Sequence, residues 1–169
     1  MFLRKIKNQN TGSLMIDIIV SISIMGIFVL VAFNVAQKSI LVSHQAVRSA
    51  QAAFLLEEGA ESIKIFRDNN TWANFTTFFN TASTYCLSGD IPSWTSALPT
   101  TTPCTKIDNF TRVINVADVN RDISSGDIVA SGGTLDSGTR LFTVTVSWPE
   151  GGSTITKTLR FYTSNIFLQ

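Results

Sequence analysis

The chain has 169 residues, enough for one domain with an appended element. It is 44% hydrophobic and 15% charged, where a soluble domain carries about 25% charge. Net charge is +1, but Arg4, Lys5 and Lys7 fall in the first 12 positions with no acid, so the remainder is net acidic and holds no Lys/Arg run. That leaves no electrostatic footprint for nucleic acid.

From Ile18 to Gln37 there are 20 consecutive uncharged residues. As a helix, a run of that length spans about 30 Å, the thickness of a bilayer core. No proline precedes Pro92, so nothing here interrupts a helix. A secretory signal peptide has an apolar core of about 7–15 residues and then a small-x-small cleavage site. This run is longer, and "NVAQKS" after it is a poor site. A plain single-pass anchor fits the length but leaves Asp17 unexplained. A carboxylate facing lipid at mid-helix costs roughly 2.5–3.5 kcal/mol. Near the helix start the cost falls and the helix dipole favours an acid, so the bland reading of Asp17 is a helix-end residue.

A basic leader ending in Gly12, an apolar helix from Ser13 and an acid at Asp17 together resemble the class III signal of type IV pilins and type II secretion pseudopilins. The resemblance implies that a prepilin peptidase cuts after Gly12 on the cytoplasmic side. Ser13 then becomes the new N-terminus, which in the family is usually methylated. It also implies that Asp17 pairs with this amine on a neighbouring subunit as helices bundle into a filament. A charge tolerates hydrocarbon when an opposite charge meets it, so such a pair sets register more than affinity. Three positions depart from the family pattern. Ser13 replaces a common aromatic residue, Asp17 replaces glutamate, and Asn34 stands where many major pilins carry proline. Gly26 matches a frequent family glycine and is expected to permit local unwinding. The resemblance rests mainly on residues 4–37.

The helical pattern continues past the apolar run. Ala52, Leu55, Leu56, Gly59, Ile63 and Phe66 form one apolar stripe, with Glu57, Glu61, Lys64 and Asp68 opposite. Gly59 costs about 1 kcal/mol in helix propensity relative to alanine, and close approach of another element is one compensation. "RDNNTW" ends the pattern with turn formers. A helix from about residue 14 to 67 would measure roughly 80 Å. His44, the only histidine, lies on it and reads as a solvated or packed helix residue rather than a switch or ligand.

Residues 69–105 are rich in Thr, Ser and Asn. Trp72, Phe75 and Phe79 predict a short helix with an aromatic face turned to the core; an exposed adhesive face is the sharper alternative. Cys86 and Cys104 are the only cysteines, and Pro92, Pro99 and Pro103 between them mark a surface loop. Metal binding lacks further Cys or His ligands nearby, and a redox motif lacks C-x-x-C spacing. A structural disulfide is therefore expected, and it implies an oxidising compartment. The basic leader places the cytoplasm on the other side of the membrane.

From Phe110 the period becomes 2. "TRVINV" reads as a strand. "LFTVTVSW" places Phe142, Val144, Val146 and Trp148 on one face and Leu141, Thr143, Thr145 and Ser147 on the other. "PEGG" reads as a turn, and "STITKTLRFY" puts Ile155, Leu159 and Phe161 on one face, giving a C-terminal antiparallel hairpin. This tail is similar to the ends of minor pilins and pseudopilins. Asp118, Asn120 and Asp122 have the 1, 3, 5 spacing of a calcium loop, but Ile123 and Val129 stand at its sixth and twelfth positions. A strand-to-strand turn is the stronger reading there. The N-x-T sequons at Asn69, Asn74 and Asn109 are expected by chance in such composition. No phosphate loop, nucleophile elbow or triad is present, and no cofactor is expected.

The expected fold is α+β: a long N-terminal helix whose first half spans a membrane, packed on a C-terminal antiparallel sheet. The expected parts are a leader (1–12), a membrane or filament-core helix (13–37), its amphipathic continuation (38–68) and an extracytoplasmic head (69–169). The expected function is that of a minor pilin or pseudopilin-like subunit, not an enzyme. Its expected partners are a prepilin peptidase, other pilin subunits, an inner-membrane assembly platform and membrane lipid. It would start in the bacterial inner membrane with its head outside the cytoplasm and end in a surface or periplasmic filament. The rival is an unprocessed single-pass anchored module for binding or adhesion.

Overall fold

The computed structural model describes residues 11–81, 83–86, 104 and 106–166. Contacts divide the chain into two units, Met1–Val47 and Arg48–Gln169. One helix, α1 (Thr11–Asp68), runs from the first into the second, close to the expected 14–67. Its end is set by the predicted turn formers. The Asn70 side-chain amide donates to the Phe66 carbonyl at 2.8 Å, taking up one of the acceptors a helix end leaves open. Thr71 then caps α2 (Trp72–Phe78), its hydroxyl accepting from the Asn74 amide.

In the second unit the strands are β1 (Thr84–Cys86), β2 (Lys106–Ile107), β3 (Phe110–Arg121), β4 (Ile128–Val129), β5 (Thr134–Glu150) and β6 (Ser153–Ser164). They form one antiparallel sheet in the order β1-β3-β5-β6, with β2 and β4 also on β3. The fold is α+β, as the change of period implies. The predicted hairpin is β5–β6, but its turn is tighter than "PEGG". Pro149 pairs with Thr154 and Glu150 with Ser153, so only Gly151 and Gly152 turn, at φ 57° and 83°. A two-residue hairpin turn of this kind needs positive φ at both positions, which glycine adopts without strain.

The core lies between the inner sheet face and the apolar stripe of α1. Ala52, Leu56 and Ile63 meet Ile114, Val116, Phe142, Val144 and Val146, all buried. Ile155, Leu159 and Phe161 share a face as expected, although Ile155, near the turn, stays 38% exposed. The stripe Trp72, Phe75, Phe79 turns inward, not outward. Phe75 and Phe79 are buried, with ring centroids 5.7 and 5.2 Å from Phe142, while Trp72 is half-buried and donates to the Ser137 carbonyl. The Tyr85 hydroxyl, among these rings, donates to the Phe78 carbonyl at 2.9 Å, and burial raises its pKa above the usual phenol value.

Gly59 has the compensation its position requires. A Cβ there would stand 2.9 Å from Val144 Cγ1, so the helix backbone at Gly59 lies against the Val144 side chain with no room for a methyl group. Arg112 lies beside this contact. It is 2% exposed, and its Nη1 donates to Glu58 Oε2 at 2.7 Å and to the Leu55 carbonyl at 3.1 Å. Burying a guanidinium is tolerable only with such partners. On β6, Lys157 also turns inward, and its Nζ donates to Ser49 Oγ on α1.

Candidate functional site

The residues singled out by the resemblance lie in the first unit. Gly12 and Ser13 fall in the first turn of α1, and Asp17 is one turn beyond Ser13 on the same face. Arg4, Lys5 and Lys7 lie outside the described residues. From Leu14 to Gln37, Asp17 is the one charged residue. Its neighbours are apolar and unburied: Leu14, Ile16, Ile18 and Ile19 are all more than half exposed. The helix is long and apolar enough to cross a membrane, with a mean hydropathy of 2.7 over its most apolar stretch.

Three polar residues of this segment bond back to helix carbonyls. Ser21 Oγ donates to the Asp17 carbonyl and Ser23 Oγ to the Ile19 carbonyl, each at 2.7 Å. Asn34 Nδ2 donates to the Leu30 carbonyl at 2.9 Å. Such bonds to the i−4 carbonyl leave few open donors, which is what an apolar surrounding demands. In sequence Asn34 stands out only as a missing proline, and an amide side chain inside an apolar helix is the one signal for this bond. Gly26 leaves a shallow apolar depression with Ile22, Met25, Val29 and Leu30. The helix runs through Gly26 without interruption. His44 is exposed on the same helix.

In the second unit Cys86 and Cys104 form a disulfide, with Cα atoms 5.2 Å apart. It joins the end of β1 to the approach to β2, and both strands lean on β3. Strands of three and two residues have little pairing of their own, and closing a loop of this size adds about 3 kcal/mol by chain entropy. The segment 87–103, with Pro92, Pro99 and Pro103, lies outside the described residues.

Of the calcium-spaced residues Asp118, Asn120 and Asp122, the two acids are held by separate partners. Asp118 and Asn120 belong to β3, with a register shift after Asp118. Asp118 Oδ1 is held by Arg140 at 3.2 Å. Asp122 Oδ1 instead accepts from the amides of Ser124 and Ser125, at 2.8 and 2.9 Å. Those bonds lower its pKa and shape the turn from β3 to β4, in line with the turn reading. Among the described residues no group of three or more His, Cys, Asp or Glu side chains is placed to hold a metal.

Comparison of the chain with protein-family models, with curated proteins and with solved structures finds no match.

Proposed function

We propose that the chain is a minor pilin or pseudopilin-like subunit, made as a membrane precursor, trimmed after Gly12 and built into a filament through its N-terminal helix. The observation that supports this best is the helix itself. It is apolar and unburied over the stretch where Asp17 is the one charge, and its continuation carries a sheet-based head. The disulfide suits a head outside the cytoplasm. Cleavage would place a new amine at Ser13, one helical turn from Asp17, so neighbouring subunits could satisfy one another's charges. Mass spectrometry of protein from assembled filaments should show a chain beginning at Ser13. Gly12→Val should leave the leader in place, because a branched side chain would fill the space that glycine leaves at the scissile bond. An intact leader on assembled wild-type protein would overturn the proposal and favour the anchored binding module, which the same helix also supports.

A further inference from the structure

The outer face of the sheet, away from α1, carries a concave site of about 500 Å³ whose lining includes Ala117, Asp118, Asn120, Leu141, Arg160, Tyr162 and the strand β4. Its volume lies within the range of about 300–1,000 Å³ typical of small-ligand sites. Sheet register builds it. Ala117, Leu141 and Tyr162 are directly paired across β3, β5 and β6, so they form one row. Arg160 is two residues before Tyr162 on the same exposed face of β6. The β3–β4 turn brings Ile128 and Val129 beside Asn120 to form the far wall. Ala117 is small, so the row dips between Tyr162 and β4.

We infer that this depression binds a sugar unit bearing a carboxylate. Tyr162, 52% exposed, offers a ring edge and a hydroxyl, while Leu141 and Ala117 supply an apolar floor for the C–H face of a sugar ring. Asn120 offers a donor and an acceptor to ring hydroxyls. Arg160 has no hydrogen bond or ion pair to any described residue, whereas Asp118, the acid in the lining, is paired with Arg140 at 3.2 Å. The uncompensated charge at the site is therefore positive. An amine or amino acid would have to compete with Arg140 for the lining carboxylate, Asp118. A phosphate group would find one guanidinium where a dianion calls for several donors. A single carboxylate matches the fork of one arginine.

The test uses the full chain in a detergent without sugar headgroups and saturation-transfer difference NMR. Glucuronate is the probe, with glucose and acetate as comparison arms. Transfer to glucuronate should exceed that to glucose or acetate. Arg160→Gln should weaken glucuronate binding about tenfold, the worth of one charge-assisted hydrogen bond. Ala117→Phe should abolish it by filling the dip, and both variants alter exposed side chains, so circular dichroism should stay unchanged. No transfer to glucuronate, equal transfer to glucose or to acetate, or full binding by the Arg160→Gln protein would each overturn the inference. None of these outcomes bears on leader cleavage.

Discussion

Arg112 and Glu58 form an ion pair of unequal burial. The arginine side chain is 2% exposed and the glutamate 30%. Arg112 Nε has no partner, so the guanidinium depends on contacts at Nη1. Glu58→Ala should destabilise the fold by about 2–3 kcal/mol, somewhat less than the roughly 3–5 kcal/mol lost when a fully buried pair is broken. Replacing both partners, as Glu58→Leu with Arg112→Met, should recover most of that loss in denaturant titration. Failure to recover would mean that the pair holds a geometry apolar side chains do not reproduce. Asp136 is a second test, through pH. Arg121 Nε donates to its Oδ2 at 2.6 Å, and this bond chiefly holds its pKa below the ordinary 3.8, with Thr139 and the Gly138 amide adding to it. A depressed folded-state pKa contributes stability above the unfolded value that is lost as pH falls through the folded value. Melting temperature should therefore fall as pH drops below about 4, and Asp136→Asn should flatten that acid limb without adding stability at neutral pH. An unchanged acid limb would count against the assignment.

At the scale of elements, the helix–sheet contact turns on Gly59. Alanine there gains about 1 kcal/mol of helix propensity but places a methyl group 2.9 Å from Val144 Cγ1. Valine is stiff at χ1 and cannot swing aside cheaply, so overpacking of roughly 1–3 kcal/mol should win. Gly59→Ala is expected to lower stability by about 1 kcal/mol net, and Val144→Ala in the same chain to remove the clash. A double-mutant cycle showing no coupling would refute the contact. This contact was legible in advance, because a glycine inside an apolar stripe asks for a close neighbour. So were the stripes of α1, the aromatic face of α2 and the alternation of β5, since each repeats within one segment. Glu58 was not legible, because a carboxylate at the margin of a stripe reads as solvent-facing until its partner is known. Arg112 sits in phase with Phe110 and Ile114, and that phase was the signal available for it. The outer depression, the Asp118–Arg140 pair and the register shift in β3 arise from pairing between distant segments, which no local period encodes.

At the scale of the whole molecule, the first unit presents apolar side chains that its own chain leaves unburied, and Asp17 stands among them. If filament assembly is the role, Asp17→Ala should leave leader removal and membrane retention intact, because it deletes a costly charge. It should reduce incorporation, because it also deletes the partner of a neighbour's amine. Asp17→Glu should be accepted, its extra methylene extending the reach. Measuring leader removal and filament content separately decides the matter. Normal filament content for the alanine protein would reduce Asp17 to an ordinary helix-end acid. The sheet carries its own constraint. Its order stops at β6, whose outer edge pairs with no described strand over Ser153–Ser164. Such an edge is an open template on which a second sheet could zip, and β6 is rich in threonine and other good strand formers. Its only charged residues are Lys157, drawn inward to Ser49, and Arg160, held outward. An inward lysine would be stripped of water if another strand closed over it, and an outward cation repels its own copy. Two positive charges on opposite faces of one strand thus oppose zipping of this edge onto a second copy of itself.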